Sequence, residues 1–347
     1  MQAHSRESAR VKAKGIGPVL ARLSGSLAPL SFLLLLSLLL TLTTPNFASR
    51  DNLKQIAIQA AVVAILACGQ TVVIVAGHID LSVGAMMALA GVVAGQCMHL
   101  YHVNMWVAVV AACIWGVAIG ILNGLITAYG KISAFIVTLG MMGLAYGVGS
   151  IFANSQNVFG FSLGFDVFGT GELFGGKNTD GIPYAILIMA LVAIAVFVAM
   201  SRTSWGRSVY AMGGNREAAR LSGVSLTAVT VSVFALSGLL AGIAAVVNVS
   251  RISVAEYKAG SGYELYAVAA TVIGGTSLAG GQGGIPGTIL GALLMYTIIN
   301  GCDLHGLGSD YQRAIIGAVV IVAVLYDRHC LPWLRTVLGG NPAVRAE

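Results

Sequence analysis

The chain has 347 residues, of which 57% are hydrophobic and 9% are charged, and its mean hydropathy is +0.87. Soluble domains carry about 25% charged residues, so this composition excludes a water-soluble fold of this length. The formal net charge of +6 suits the anionic inner leaflet of a membrane, and no nucleic-acid partner is needed to explain it.

Apolar runs recur along the whole chain, and each is long enough to cross a hydrocarbon core of ~30 Å. The runs are continuous rather than alternating, which predicts an all-α, polytopic helical membrane protein with about ten membrane segments. The expected segments are 27–45, 55–76, 82–100, 106–128, 134–153, 183–200, 227–248, 263–280, 285–301 and 311–326.

Some of these segments carry further signals. The first follows a long basic leader without a clear A-x-A site after it, so we expect a retained helix rather than a cleaved signal peptide. Two stretches, Val73–Gly91 and Thr271–Leu294, each run apolar, then small and polar, then apolar, which predicts helices interrupted near one end. The segments 263–280 and 285–301 are therefore either full spans or re-entrant.

The distribution of Lys and Arg predicts the orientation. If the N-terminus is cytoplasmic and every segment crosses, most of the 19 basic residues fall on the cytoplasmic side, and the opposite orientation reverses this bias. We therefore expect a basic cytoplasmic tail over 1–26, a transmembrane domain over 27–328 and a cytoplasmic tail over 329–347. Residues 201–226 then form a cytoplasmic loop. Gly, Asn and Asp residues predict a periplasmic loop over 154–182.

Small residues recur at a spacing of four, which lets helix backbones approach closely in lipid. We expect these faces to serve internal packing rather than a dimer interface. They are Gly116–Gly120–Gly124, Gly143–Gly147, Gly238–Gly242 and Gly287–Gly291.

The stretch GHIDLSVG (Gly77–Gly84) places an ionisable residue, Asp80, between two apolar runs. A charge at the centre of a membrane helix costs at least about 2.5–3.5 kcal/mol, so such residues usually have a role. One interpretation is helix capping, in which Asp80 or Ser82 accepts hydrogen bonds from the first N–H groups of the segment 82–100. The other is a direct place in a transport path.

Other polar groups lie within the apolar segments, namely Gln59, Gln70, Asn123, Asn248, Glu264 and Asn300. Broken helices and buried amides are where membrane transporters build midplane sites, and amides suit a neutral, hydroxyl-rich solute better than an ion. Hydrogen bonding between helices is the alternative for each of them. Our candidates for a translocation path are Asp80, Ser82, Asn123, Glu264 and Asn300.

Motifs that would indicate catalysis are few. The sequence has no GxxxxGK[ST] phosphate-binding loop and no HExxH. Five cysteines occur without a CxxC or Cys/His cluster, so neither a disulfide framework nor a metal site is predicted. We expect no catalytic residue, cofactor or metal in this chain.

Residues 213–223 read GGNREAARLSG, a polar island between apolar runs. Asn215 is a good N-cap residue, the charge of Glu217 is favoured in a first turn, and Gly223 is typical of a helix end. These features predict a short helix.

The predicted helix is amphipathic. Arg216 and Arg220 share one face, while Ala218, Leu221 and Val224 give a small apolar face. Such a helix suits docking into a groove on a soluble partner, and the alternative is a plain connector at the membrane surface.

The pattern E-A-A-x-x-x-G (Glu217–Gly223) resembles the coupling signature of bacterial ABC importer permeases. The upstream motif GHIDLSVG, the lysine-preceded ISAFIVTLGMMG (Ile132–Gly143) and the downstream AVAATVIGGTSLAGGQGG (Ala267–Gly284) are similar to the monosaccharide branch of that family, which includes ribose and xylose permeases. The motifs occur in the family's order. One departure is His78, where the family more often has a small or acidic residue.

This resemblance implies a type II-like importer permease in the bacterial inner membrane that moves a monosaccharide or a sugar-like polyol. It also implies a second permease copy, identical or paralogous, a periplasmic sugar-binding protein, and ABC ATPase subunits that bind ATP and Mg²⁺. The residues that it assigns to an ATPase-coupling helix are Asn215, Arg216, Glu217, Ala218, Ala219, Arg220 and Gly223.

The main alternative is a secondary transporter driven by an ion gradient, with Asp80 or Glu264 as the coupling site. A passive channel is disfavoured because it leaves the docking helix unexplained.

Overall fold

The computed structural model describes residues 28–175 and 181–325 of the chain. The predicted tails, 1–26 and 329–347, lie outside the described residues.

The described chain consists of helices and one small sheet, in which the short strands β1 (Glu172–Leu173) and β2 (Ile182–Pro183) pair antiparallel. The helices are α1 (Ala28–Thr43), α2 (Arg50–Val75), α3 (Val83–Tyr101), α4 (Met105–Gly130), α5 (Ala134–Phe152), α6 (Val167–Thr170), α7 (Tyr184–Arg202), α8 (Ser204–Gly214), α9 (Arg216–Leu221), α10 (Leu226–Ile252), α11 (Tyr263–Ile273), α12 (Ile285–Leu304) and α13 (Ser309–Leu325).

Seven of the described helices, α2, α3, α4, α5, α7, α10 and α12, are long and apolar enough to cross a membrane. Each of them lies on a segment that the apolar runs predict, so the prediction of a helical membrane protein is confirmed. Helices α1, α11 and α13 also lie on predicted segments but are shorter.

Some local predictions are wrong. The segment 263–280 is helical only to Ile273, because a glycine-rich turn follows and Gly275 has a φ of +89°. The loop 154–182 contains α6 and the strand β1, and its last residue belongs to β2. The loop 201–226 holds the predicted helix α9 and, before it, the helix α8, for which no prediction was made.

Helix α2 lies at the centre of the molecule. Every residue from Ala60 to Val75 is buried, and α2 contacts α7, α8, α10, α11 and α12. Because α2 is enclosed by other helices over this stretch, its apolar run is explained by the protein interior as well as by the membrane.

Helices α4 and α10 pack antiparallel through glycines. A Cβ atom placed on Gly238 would lie 2.0 Å from the carbonyl oxygen of Gly116, and one on Gly120 would lie 2.2 Å from that of Phe234. One turn further along α4, a Cβ on Gly124 would lie 2.6 Å from the Cα of Val231. The predicted internal packing of these two faces is therefore confirmed.

The two remaining small-residue faces differ from each other. A Cβ on Gly287 or Gly291 would meet the backbone of α11 or of the turn that follows it, so this face packs internally as predicted. A Cβ on Gly143 or Gly147 would meet no atom within 4 Å. For that face of α5, the prediction of internal packing within this chain is wrong.

The helix directions can be given relative to α10, which spans about 40 Å at 1.5 Å per residue. We call the end of the molecule that holds α9 the α9 end. Helix α10 begins there, whereas α2 begins at the opposite end and reaches the α9 end at Val75, whose carbonyl oxygen accepts from the N–H of Gly281. Lys54, near the start of α2, forms an ion pair with Glu172 of β1, and this bond lowers the pKa of the Glu172 carboxyl.

Residues 253–262 lead from the end of α10 back into the interior along α3. Ala255 packs on Gly95, and further along the segment the carbonyl oxygen of Gly260 would lie 2.2 Å from a Cβ placed on Gly84. Because Gly84 is in the first turn of α3, the start of α11 at Tyr263 lies in the interior beside the start of α3. Helix α11 is thus a half-length helix that runs from the interior to the α9 end.

We expect Gly238→Ala to lower the thermal stability of the purified chain in detergent. The new methyl group meets the backbone of α4, which has no side chain to rotate away, and overpacking of this kind costs about 1–3 kcal/mol. The measurement is thermal unfolding followed by intrinsic fluorescence. Gly143→Ala is the matched control, since its methyl group enters open space, and equal melting temperatures for both variants would contradict the prediction.

Candidate functional site

Helices α8 and α9 form a helical hairpin that is anchored to the rest of the molecule through α8. The indole N–H of Trp205 donates to Ser232 Oγ in α10 at 2.8 Å. The hydroxyl of Tyr210 donates to the carbonyl oxygen of Gly283 at 2.8 Å. The hairpin therefore has a fixed position relative to the membrane helices.

Helix α9 begins where the sequence predicts it. Asn215 has extended backbone angles, and its side-chain oxygen accepts from the N–H of Ala218 at 2.9 Å. This contact satisfies one of the N–H groups that a helix start leaves free. The predicted N-cap is confirmed, and Glu217 lies in the first turn as expected.

Helix α9 also ends where the sequence predicts it. Gly223 has a φ of +84°, which L-residues with a side chain rarely adopt. Its N–H donates to the carbonyl oxygen of Arg220, and the N–H of Val224 donates to that of Ala219, both at 3.0 Å. The chain thus turns sharply from α9 into α10.

The outward face of α9 is small, apolar and flanked by charge. Ala219 is the buried residue of the helix, whereas Ala218 is exposed and Leu221 is 76% exposed. Glu217 and Arg220 form an ion pair of 2.6 Å, and this hydrogen bond raises the pKa of Arg220. The face has the size and chemistry to dock into a groove of another protein.

The last turn of α8 touches the ends of two interrupted helices through glycines. A Cβ placed on Gly213 would lie 1.8 Å from the carbonyl oxygen of Val75 and 2.7 Å from the nitrogen of Gly281. A Cβ on Gly280 would lie 3.1 Å from the Cα of Gly77. We call these five residues the glycine junction.

The glycine junction joins α8 to the two helix breaks that the sequence predicts. Residues 76–82 connect α2 to α3, and residues 274–284 connect α11 to α12. The prediction of interrupted helices at both stretches is confirmed. The N–H of Gly281, in the second break, donates to the carbonyl oxygen of Val75, the last residue of α2, at 2.8 Å. The second break is therefore hydrogen-bonded to the helix end at which the first break begins.

The first break carries Asp80 into a closed polar cluster. Asp80 is fully buried. One carboxylate oxygen accepts from the N–H of Ser82 at 2.9 Å and from its hydroxyl at 2.6 Å, and the other accepts from Ser237 Oγ of α10 at 3.1 Å. Each carboxylate oxygen therefore has a donor, as a buried charge requires.

Two amides complete this cluster. The Gln70 amide, oriented so that both of its groups are satisfied, donates to the Asp80 carbonyl at 3.1 Å and accepts from the Asp80 N–H at 3.3 Å. Asn123 of α4 donates to Ser82 Oγ at 2.9 Å. Helices α2, α3, α4 and α10 thus converge on one short segment of chain.

The capping interpretation of this cluster is correct in part. Ser82 is the N-cap residue of α3, but its side chain makes no capping bond. Asp80 accepts from the N–H of Ser82 instead, and the same carboxylate binds Ser237 across the helix interface. Asp80 therefore both orders the helix start and joins it to α10.

The five path candidates do not form one site. Asp80, Ser82 and Asn123 lie together, whereas Glu264 lies against Gly84 at the start of α11. Asn300 exchanges two hydrogen bonds with Asn52 of α2, at 2.7 and 2.9 Å. For Asn300, the structure thus shows the hydrogen bond between helices that was the alternative interpretation. A role of any of the five in transport stays a prediction.

The roles of two residues in this region were not predicted from the sequence. Ser237 sits in an apolar run, and nothing nearby marks it as a partner of Asp80. Gly213 was noted only as part of a polar stretch, although the Gly213–Gly214 pair is a signal of close backbone contact. His78, the departure from the family pattern, lies along the chain between Gly77 of the glycine junction and Asp80 of the polar cluster. Its ring is 5.8 Å from that of Phe234.

Comparison with known proteins identifies relatives of this chain. The family described as branched-chain amino acid transport system / permease component matches residues 52–324. The ribose import permease protein of Escherichia coli strain K12 is 44% identical over 86% of this chain and 92% of its own length. The ribose import permease protein of Bacillus subtilis strain 168 is 38% identical over 87% and 92%, and the D-allose transport system permease protein of Escherichia coli strain K12 is 34% identical over 83% and 86%. No solved structure matches the chain.

We expect Gly213→Ala to displace the hairpin of α8 and α9 from the helix breaks. The methyl group would overlap backbone atoms on both sides, so the junction must open. The measurement is the rate of limited trypsin cleavage after Arg216 and Arg220 in membranes, which should rise. Gly214→Ala is the control, because a Cβ there meets no atom within 4 Å. Equal cleavage rates for the two variants would show that the junction does not hold the hairpin.

Proposed function

The chain belongs to the permease family described as branched-chain amino acid transport system / permease component, and we propose that it is the membrane subunit of an ATP-driven importer for a monosaccharide or a sugar-like polyol. The observation that carries the proposal is the exposed helix α9, which has the E-A-A-x-x-x-G pattern and is connected through α8 to the glycine junction. The chain itself carries out no covalent chemistry.

The relatives favour a sugar as the transported solute. The family's description refers to branched-chain amino acids, but the curated relatives at 33–44% identity are named as permeases for ribose, allose, galactose or fructose. Buried amides and hydroxyls in the interior suit a solute rich in hydroxyl groups. Ribose is the first sugar to test, because the ribose permease of Escherichia coli is 44% identical and covered over 92% of its length.

We assign the outward face of α9 to contact with the partner ATPase. Ala218 and Leu221 are exposed and small enough to enter a groove, and the charges of Glu217 and Arg220 would set the orientation of docking. ATP and Mg²⁺ would bind to the ATPase subunits. A second permease copy and a periplasmic sugar-binding protein would complete the complex.

The proposed topology follows from the helix directions. Helices α1, α3, α5, α10 and α12 run away from the α9 end, and α2, α4, α7, α11 and α13 run towards it. On this basis we propose ten passes in a type II-like arrangement, with the pass of α11 completed by residues 253–262. With α9 in the cytoplasm, both ends of the transmembrane domain 27–328 lie on the cytoplasmic side of the bacterial inner membrane, with the tails 1–26 and 329–347 beyond them. Residues 154–182 would then be periplasmic, and residues 201–226 would be the coupling loop.

The proposed mechanism uses the glycine junction as the connection between ATPase and membrane helices. ATP binding closes the ATPase dimer and moves α9. Because α8 touches both helix breaks, its displacement shifts the ends of α2, α11 and α12, and the path changes from outward-open to inward-open. Coupling requires that the partners bind the two states with different affinity.

The alternative of an ion-driven transporter has less support. Asp80, one of its two proposed coupling residues, has donors on both carboxylate oxygens within a closed cluster. The curated relatives named above are described as import permeases of sugar transport systems.

Uptake by the reconstituted complex tests the proposed function. We expect liposomes that contain this chain, its ATPase and its binding protein to accumulate ribose or another of the four sugars when ATP is inside. Leucine is the control solute. Uptake by this chain alone, driven by a proton or sodium gradient, would refute the proposal, and uptake of leucine in place of sugars would refute the substrate class.

In the same system, we expect Glu217→Lys to reduce uptake and coupled ATP hydrolysis by at least about tenfold, because it breaks the ion pair with Arg220 and reverses a charge that we assign to the orientation of docking. Asp310→Lys is the matched control. Asp310 also pairs with an Arg three residues later and is exposed, but it lies at the opposite end of the molecule. Membrane insertion should be unchanged in both variants, and normal uptake by Glu217→Lys would contradict the docking role.

A further inference from the structure

Two polar side-chain atoms near the start of α11 are buried without a hydrogen-bond partner. They are the Tyr146 hydroxyl and Oε2 of Glu264. Buried polar groups nearly always have partners, so each exception needs an explanation, such as a functional role or a bound molecule.

Both residues lie near the start of α11, one on α5 and the other on α11 itself. Glu264 is in the first turn of α11, and its Oε2 would lie 2.6 Å from a Cβ placed on Gly84 of α3. Tyr146 lies on α5, one turn before Gly149, which faces Leu89 of α3 and Tyr257 of the stretch 253–262. Tyr146 is close enough to Glu264 for an electrostatic interaction. This places both side chains on the interior side of the start of α11.

Helix capping accounts for only one of the two carboxylate oxygens of Glu264. Its Oε1 accepts from the N–H of Gly262 at 3.2 Å, which is an ordinary contact for an acidic residue in a first turn. Its Oε2 has no partner. The second oxygen is therefore available to accept a hydrogen bond from another molecule.

Aromatic rings line the same region. The rings of Tyr263 and Tyr266 lie 5.7 Å apart at 45°. Tyr296 of α12 interacts electrostatically with both tyrosines. Tyrosines combine an apolar ring with a polar tip, so they can contact both the C–H face and the hydroxyls of a sugar.

We propose that Tyr146 and Glu264 form a binding site, in the interior beside the start of α11, for the hydroxyl groups of the transported sugar, with the rings of Tyr263 and Tyr266 against its C–H face. The Tyr146 hydroxyl and Glu264 Oε2 have no partner within the described chain, which suits a solute rich in hydroxyl groups. This inference rests on the proposed function, because it makes the site a step in the path of the imported sugar.

The first test is uptake of ribose by the reconstituted complex with Tyr146→Phe and Glu264→Gln. Tyr146→Phe removes a hydroxyl, and Glu264→Gln replaces one acceptor oxygen of the carboxylate with an amide donor, both with little change in shape. We expect the rate of uptake to fall about tenfold, which corresponds to the loss of one substrate hydrogen bond, while the melting temperature stays that of the unaltered chain. Tyr311→Phe and Glu256→Gln are the matched controls, since both residues are exposed.

The second test does not depend on ATP-driven uptake. Cysteine is introduced as Tyr146→Cys or Glu264→Cys, a small methanethiosulfonate reagent is added to membranes, and labelling at that residue is measured by mass spectrometry with and without D-ribose, D-allose, D-galactose or D-fructose. We expect at least one sugar to slow labelling at both positions, and leucine to leave it unchanged.

The outcomes separate the two proposals. Uptake without any difference between the variants and their controls overturns the site but leaves the importer. Protection of the cysteines without ATP-driven uptake supports the site and overturns the proposed energy source. Absence of both uptake and protection overturns both.

Discussion

Direct contact between backbones at glycine residues is the constraint on which this structure depends. In a membrane, lipid tails are as apolar as leucine side chains, so helices gain little from burying apolar surface against each other and must associate by close packing. Short-range dispersion forces reward only atoms in contact. The pairs Gly116–Gly238, Gly84–Gly260 and Gly274–Gly287 bring backbones within reach of each other, and each fixes the position of a helix that carries polar residues.

These contacts explain why the interior contains two carboxylates. The contact of Gly84 with Gly260 brings the start of α11 beside the start of α3 inside the molecule. Each helix start has free N–H groups and the positive end of a helix dipole, which favour a negative charge. Asp80 accepts from the N–H of Ser82, and Glu264 accepts from the N–H of Gly262. Interrupted helices thus stabilise charges that a continuous membrane helix would exclude.

The sequence predicts much of this arrangement because apolar runs, caps and glycine breaks are local signals. The long helices, the N-cap Asn215 and the turn at Gly223 follow from such signals. Helix α8 does not, because it is held by contacts with distant residues, such as that of Trp205 with Ser232. The partners of Asp80 could not be predicted either, since Ser237 lies 157 residues away along the chain. A glycine face likewise gives no information about which helix it meets.

Helix α11 connects the two regions that the proposed function requires. It is 11 residues long, which corresponds to about 16 Å at 1.5 Å per residue. One end is followed directly by the break whose residues Gly280 and Gly281 belong to the glycine junction, and the other end carries Glu264. A short helix transmits displacement as a rigid rod, because its hydrogen bonds keep its length constant. Movement of α8 would therefore reach Glu264 in the interior through α11, and would reach Asp80 through the few residues that follow Gly77.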